Sequence, residues 1–190
     1  MYKLFFKRFL DFWISLILLI CVSPILLIVT IWLHIANKGA GAFFLQERPG
    51  KNAKIFKIIK FKTMTDERDE EGNLLPDGQR LTKVGRFVRS TSLDELPQLI
   101  NVLRGDMALI GPRPDSAFYL EHYTPEERVI LTVRPGITGW NQAINRNSVG
   151  TKEKLQADIY YVEHLSFLFD LKVLWLTIKT VLSHKDVYRA

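Results

Sequence analysis

At 190 residues the chain is about one domain plus an appendage, and its formal net charge of +6 at pH 7 asks for an anionic partner such as a lipid surface, a nucleic acid or a phosphorylated substrate. A single cysteine, Cys21, excludes a disulfide framework and a cysteine-built metal site; inside an apolar run it is expected as a small buried thiol. Hydrophobic residues make up 47% of the chain, an ordinary share that is very unevenly placed.

Phe12 to Ala36 is apolar apart from Ser15, Ser23, Thr30 and His34. As a helix it would be about 37 Å long, enough to cross a bilayer core. It is too long for a cleaved signal peptide, and no small-residue cleavage site follows it. Ser23-Pro24 falls at its midpoint, where proline removes a backbone hydrogen bond and the Ser23 hydroxyl is placed to satisfy the freed carbonyl. Both flanks are basic: Lys3, Lys7 and Arg8 before the run, Lys38, Arg48, Lys51 and Lys54 after it. The positive-inside rule therefore gives no orientation, and two arrangements stay open, a spanning helix and a re-entrant one with both ends on the cytoplasmic side.

A β-hairpin is predicted next, from Ala42–Gln46 and Lys54–Thr63 around the turn Pro49-Gly50-Lys51-Asn52. Phe56, Ile58, Lys60 and Lys62 share one face of its second strand; the two amines read first as a solvated edge and alternatively as phosphate ligands. Asp66–Gly78 is a polar connection. Thr82 is placed to cap a short helix on which Lys83, Arg86 and Arg89 form one basic stripe.

That stripe ends beside Ser92-Leu93-Asp94-Glu95-Leu96-Pro97-Gln98. Ser92 and Glu95 read as a capping box that starts a helix, with Pro97 in the first turn and Leu96, Leu99, Ile100 and Leu103 at helical spacing. A helix mouth holds carboxylates ionised and draws phosphates, so Asp94 is a candidate nucleophile for phosphoryl transfer; it could also be a plain helix stabiliser. Met107–Ile110 is a short buried-strand candidate. It leads into Gly111-Pro112-Arg113-Pro114, where Pro112 and Pro114 hold the Arg113 guanidinium out from a rigid loop, a setting for bidentate phosphate recognition. Tyr119–Val133 reads as a mixed helix, Arg134–Trp140 as a second rigid glycine-rich loop followed by Gln142, Arg146 and Asn147, and Lys152–His164 as a helix carrying Asp158. Leu165–Leu182 is apolar but interrupted by Asp170, Lys172 and Lys179, charges costly for a second span; an interfacial amphipathic helix or a core helix fits.

Taken in order, Lys7-Arg8, Ser23-Pro24, Gln46–Gly50, Phe56–Met64, Ser92–Gln98, Gly105-Asp106-Met107, Gly111–Pro114 and Arg134–Trp140 make the chain resemble the bacterial sugar transferases known as monotopic phosphoglycosyl transferases, over nearly its whole length. The resemblance implies an α+β fold, mostly helical, with a small hairpin or sheet, interfacial amphipathic helices, and a re-entrant membrane helix over residues 1–38 in front of a cytoplasmic-face catalytic domain over residues 39–190, all at a bacterial inner membrane. It implies a catalytic pair, Asp94 as nucleophile and Glu95 as the Mg²⁺ ligand. It assigns Lys60, Arg89, Arg113, Pro112, Pro114, Gln142, Arg146 and Asp158 to substrate, and Lys7, Arg8, Ser23 and Pro24 to the membrane segment. The implied reaction moves a sugar 1-phosphate from a UDP-sugar, with UDP-N,N'-diacetylbacillosamine or another N-acetylated sugar as the candidate, to polyprenyl (undecaprenyl) phosphate, by way of a phosphosugar on Asp94. Downstream glycosyltransferases are the expected protein partners, no nucleic acid is expected, and oligomeric state is left open. Ala143-Ile144-Asn145-Arg146-Asn147 departs from the family's pattern, which carries an additional Asn and a Gly. The competing class is a non-catalytic membrane-anchored scaffold, in which Asp94 and Glu95 only cap a helix.

Overall fold

A computed structural model of the chain describes residues 1–145 and 150–182. A π-helical turn, Tyr2–Phe6, runs into α1, Lys7–Ala36, thirty residues long. α1 is long and apolar enough to cross a membrane, and no residue between Ser15 and Val29 is buried. Pro24 leaves the Ile20 carbonyl without its helical partner, and the Ser23 hydroxyl donates to that carbonyl at 2.8 Å, as the Ser-Pro pair leads one to expect. Cys21 is exposed on this middle stretch rather than buried, because the run's side chains face outward and not into a core.

Both ends of α1 are held by the rest of the chain. At the start, Arg8 donates to the carbonyls of Val102 and Leu103, and Asp11 accepts from the Leu109 amide at 3.2 Å. At the far end, Val29 and Leu33 pack with Ala42, Phe61 and Val88, and the buried Asn37 amide donates to Gly41 O and Lys62 O. Lys7 and Arg8, read from the sequence as a basic flank of the apolar run, are held by the protein itself. Lys7 is buried against Asp170 at 2.7 Å, and Arg8 supplies donors to the last carbonyls of a helix, groups that have no partner within the helix itself.

β1, Phe43–Pro49, pairs antiparallel with β2, Ile55–Phe61, through a tight turn in which Asn52 and Ala53 take left-handed φ values of 56° and 60°. α2, Asp77–Arg80, follows the polar connection, and α3, Lys83–Ser90, begins at Thr82, whose hydroxyl accepts from Gly85 N at 2.9 Å. The expected capping box at Ser92 is absent. Ser92 sits at φ 58° and its side chain makes no cap hydrogen bond; residues Leu93–Glu95 form a 3₁₀ turn, and α4, Gln98–Arg104, starts only after Pro97. Gly105 closes α4 at φ 90°, the left-handed value a glycine takes without strain.

β3, Ala108–Ile110, pairs parallel with β4, Gly136–Thr138, so the segment expected as a loop over Arg134–Trp140 contains a strand. Gly136 lies so close to the Gly111 backbone that any Cβ there would overlap it, which is why two loops both carry glycine at the crossing. The expected helix over Tyr119–Val133 is two 3₁₀ segments, Ala117–Glu121 and Glu127–Thr132. Between them Thr124 and Glu127 exchange side-chain-to-backbone bonds at 2.8 and 3.3 Å around Pro125, a reciprocal pair that fixes the chain reversal. α5, Trp140–Ile144, α6, Thr151–His164, and α7, Phe167–Leu182, complete the fold. Tyr161, Val162, Leu165 and Val173 form a core with Ile110 and Ala143, while Leu168, Leu171, Trp175 and Ile178 of α7 stay exposed. α7 is thus amphipathic, with one face in the core and an apolar face outside. The architecture is α+β, with two small two-stranded sheets among helices in the described residues.

Candidate active site

The site is assembled where β2, the Leu93–Glu95 turn and the loop after β3 meet. Asn101, on the apolar face of α4 and fully buried, sets the first of these distances. Its amide donates to Lys57 O at 2.8 Å and accepts from Ile59 N at 3.0 Å, so it takes the place of a third strand along the edge of β2. That docking delivers Lys60, one residue further on, to the turn that precedes α4.

Glu95 Oε1 receives both Lys60 Nζ at 2.9 Å and Arg113 Nη2 at 2.8 Å. The face of β2 read first as a solvated edge is instead turned inward, with Phe56 and Ile58 in the core and Lys60 mostly covered. Burial by itself would raise the Glu95 carboxyl, but Arg113 and Lys60 outweigh it and hold it at about 2. Glu95 is a permanent anion here.

Asp94 behaves in the opposite way. Burial, and then the neighbouring Glu95 charge, push its carboxyl up to about 6, while Lys60 and Arg89 pull it partway back. Its side chain accepts from its own backbone N–H, and it lines a cleft of about 880 Å³. A carboxylate that merely stabilised a helix end would be lowered by the partial positive charge it sits on. Asp94 is raised and destabilised as an anion, and a helix-capping role does not account for it.

The same cleft is lined by Arg86, Arg89, Glu95, Arg113, Gln142 and Asp158, and it reaches Leu18 and Val22 on the exposed middle of α1. Arg89 is exposed, with the Met64 sulfur 4.0 Å from its guanidinium. Asp158 is buried on α6 and accepts from the backbone N–H of Arg113; its Oδ1 has no partner. Burial, followed by the charge of Asp115, raises Asp158 to about 8. The cleft therefore holds a carboxyl that is neutral at pH 7 a short way from one that is always charged.

Most of the residues read from the sequence converge, but not all. Lys60 and Pro114 line a smaller adjoining cavity, and Pro112 is buried, its carbonyl taking the Gly136 amide at 2.9 Å, so it supports the loop without facing the cleft. Ser23 and Pro24 sit apart on α1, Lys7 and Arg8 at its base. Arg146 lies outside the described residues, as does Asn147. Sequence reasoning missed Asn101, Asn37 and Asp11, polar residues in apolar surroundings that dock one element on another. A lone amide on the apolar stripe of Leu96, Leu99 and Leu103 was the available signal for Asn101.

No cluster of three metal-ligating side chains occurs among the described residues. Glu95 Oε2 has no partner there, and an ion that takes one carboxylate and draws its remaining ligands from phosphate and water matches this donor set. Mg²⁺ fits on those terms.

Comparison with known proteins gives the family. The family described as bacterial sugar transferase matches residues 2–184, and the chain belongs to that family. It is 49% identical over 181 residues to the uncharacterized sugar transferase EpsL of Bacillus subtilis, covering 95% of this chain and 89% of that one. It is 35% identical over 201 residues to the undecaprenyl-phosphate galactose phosphotransferase of Salmonella typhimurium, covering 97% of this chain and 42% of that protein. A third relative is the UDP-N-acetylgalactosamine-undecaprenyl-phosphate N-acetylgalactosaminephosphotransferase of Aeromonas hydrophila, 35% identical over 187 residues, 94% of this chain and 44% of that protein. The chain thus spans less than half the length of the last two and most of the first.

Proposed function

We propose that the chain is a polyprenyl-phosphate sugar-1-phosphate transferase that moves a sugar 1-phosphate from a UDP-sugar to undecaprenyl phosphate, with Asp94 as covalent nucleophile. The observation that carries this reading is the contrast between Asp94, which lines the cleft in no ion pair among the described residues, and Glu95, clamped beside it by Lys60 and Arg113. Relatives named for undecaprenyl-phosphate phosphotransfer, one of them with a UDP-sugar, support the reaction class.

In the first half-reaction an Asp94 oxygen bonds to the β-phosphorus, the bond from that phosphorus to the bridging oxygen breaks, and UMP leaves with the electron pair. No base is needed, because a carboxylate near 6 is mostly ionised at neutral pH. In the second half-reaction an oxygen of undecaprenyl phosphate attacks the same phosphorus, the bond to Asp94 breaks, and the carboxylate is regenerated. Lys60, Arg89 and Arg113 orient the diphosphate and offset its charge, which is most of what a protein contributes to such a transfer. Glu95 would hold Mg²⁺, whose chemistry when bound is to neutralise the diphosphate. Asp158, through the Arg113 amide, fixes the loop that presents the guanidinium.

The lipid-borne acceptor explains the setting. Because both ends of α1 are tied to one body while its middle is exposed, a re-entrant passage from the cytoplasmic face accounts for the contacts better than a span does. The cleft's reach to Leu18 and Val22 gives the acceptor an apolar approach.

The test is intact-mass spectrometry of the full chain in detergent or nanodiscs with a UDP-sugar and Mg²⁺ but no acceptor. A phosphosugar adduct is expected in the native chain and not in Asp94→Asn, with UMP released in step. An Asp94→Asn chain that turns over normally would end the proposal.

A further inference from the structure

β3 is three residues long, and so is β4, the strand it pairs with. A two-stranded sheet of that size is too weak to fix its own position. Yet β3 leads directly into the loop that carries Arg113, and a misplacement of about 1 Å at a reacting group can cost about a hundredfold in rate. Something outside the sheet has to hold the strand.

Two buried side chains do so. Asp11 of α1 accepts the Leu109 amide through Oδ1 at 3.2 Å, and Tyr161 of α6 brings its hydroxyl to 3.1 Å from the Ile110 carbonyl. The two grips are joined behind the strand. Asp11 Oδ2 lies 3.9 Å from Lys7 Nζ, Lys7 is paired with Asp170 Oδ2, and Asp170 Oδ1 meets the same Tyr161 hydroxyl. The one hydroxyl hydrogen is shared between Asp170 and Ile110 as a three-centre bond. The path from Leu109 through Asp11, Lys7, Asp170 and Tyr161 back to Ile110 is a closed bracket, and all four side chains in it are buried.

Burying two carboxylates, an ammonium and a phenol is expensive, and apolar side chains would pack α1 onto α6 and α7 at less cost. Apolar side chains cannot, however, hold one amide and one carbonyl at set points, because only a hydrogen bond has direction. Beyond Ile110 the chain has no slack. The Gly111 amide donates to Thr138 O at 2.9 Å, the Pro112 carbonyl is taken by Gly136, and the Arg113 amide donates to Asp158. A shift of β3 is therefore passed along to the guanidinium.

We infer that Asp11 and Tyr161 are positioning residues for the transfer, acting through Arg113, so that the base of α1 is a working part of the enzyme as well as its attachment. The inference rests on the phosphate-orienting role of Arg113 in the reading above and adds the residues that set it.

The experiment follows phosphosugar adduct formation by intact mass, in single turnovers of the full chain in nanodiscs with saturating UDP-sugar and Mg²⁺. Tyr161→Phe keeps the ring, removes the hydroxyl and leaves Asp170 with Lys7 and Tyr2. Asp11→Leu removes the acceptor, and Asp11→Asn keeps an oxygen for the Leu109 amide. Each is made alone and together with Arg113→Ala, whose slower adduct is followed over longer times. Tyr161→Phe and Asp11→Leu should each slow the adduct about tenfold when Arg113 is present and less than about twofold when it is absent. Asp11→Asn should recover most of the rate.

An equal loss with and without Arg113 overturns the inference and leaves the bracket a fold-holding device. A lowered melting temperature with a native rate does the same. An Asp11→Asn chain as slow as Asp11→Leu overturns it for Asp11, and if Asp11→Leu does not fold, Tyr161→Phe decides alone. Should the native chain form no adduct, the transfer reading fails first; should it form one and the losses ignore Arg113, only the positioning inference fails.

Discussion

Lys7 Nζ lies 2.7 Å from Asp170 Oδ2, joining the first turn of α1 to the first turn of α7 across 163 residues. The Tyr2 and Tyr161 hydroxyls also donate to Asp170, each at 2.6 Å, so the charge that made α7 a poor spanning candidate is the one that fastens it to the start of α1. Breaking a buried pair leaves one charge uncompensated. Asp170→Ala is therefore expected to cost about 3–5 kcal/mol in denaturant or thermal unfolding of the solubilised chain. The double variant Lys7→Met with Asp170→Leu should recover part of that loss, and a fully additive double variant would contradict the coupling.

Asp94→Asn should abolish transfer while making the fold more stable. The Asp94 carboxyl is raised from its ordinary value of 3.8 to about 6, so its ionised form is the disfavoured one in the folded chain. The penalty is absent at acid pH, grows as pH rises between about 4 and 6, and is fully present above that. At pH 7.5 the amide should gain about 1–2 kcal/mol, and at pH 4 almost nothing, read by melting at the two pH values. A scaffold whose helix needs Asp94 as a cap would lose stability instead.

Activity against pH should be bell-shaped. Transfer falls as pH drops through about 6, where Asp94 takes a proton, and falls again above about 8, where Asp158 loses one beside Asp115 and presents a new anion to the diphosphate. Asp158→Asn should flatten the alkaline limb of kcat/KM and leave the acid limb in place. An alkaline limb that survives the substitution would separate it from Asp158.

Gly85 of α3 packs against the Thr63 backbone, and a Cβ built there would overlap the Thr63 carbonyl. Gly85→Ala should cost about 3 kcal/mol and shift Arg86 and Arg89 out of the cleft, lowering both yield and transfer. Gly78→Ala is the control. Nothing lies within 4 Å of its added Cβ, and in α2 the change should be neutral or slightly stabilising. Circular dichroism melts of the pair, measured together, decide it.

What the sequence revealed was what neighbours in the chain decide. Thr82 caps α3, the Ser23 hydroxyl serves the carbonyl that Pro24 frees, and the apolar run is one helix, because each depends on residues within four positions. The Ser92–Glu95 box failed for the converse reason. Glu95 is claimed by Lys60 and Arg113, 35 and 18 positions away, and a long-range ion pair outbids a local cap. Lys7 and Arg8 read only as a basic flank, and Asp170 only as a break in the apolar C-terminal run, because their partners lie at the other end of the chain or across the fold. The residues of the candidate site were legible through motif resemblance; the docking by Asn101 that brings Lys60 to Glu95 was not, since a single amide carries no periodic signal.

Because α1 is latched at Arg8 and again at Leu33, its two grips share one rotational phase. Each added or deleted residue between them would swing one grip by about 100° about the helix axis. Changes in the depth of this segment should then come in near-whole turns, three or four residues at a time, and a bilayer of different thickness is met by altering side chains along a fixed length.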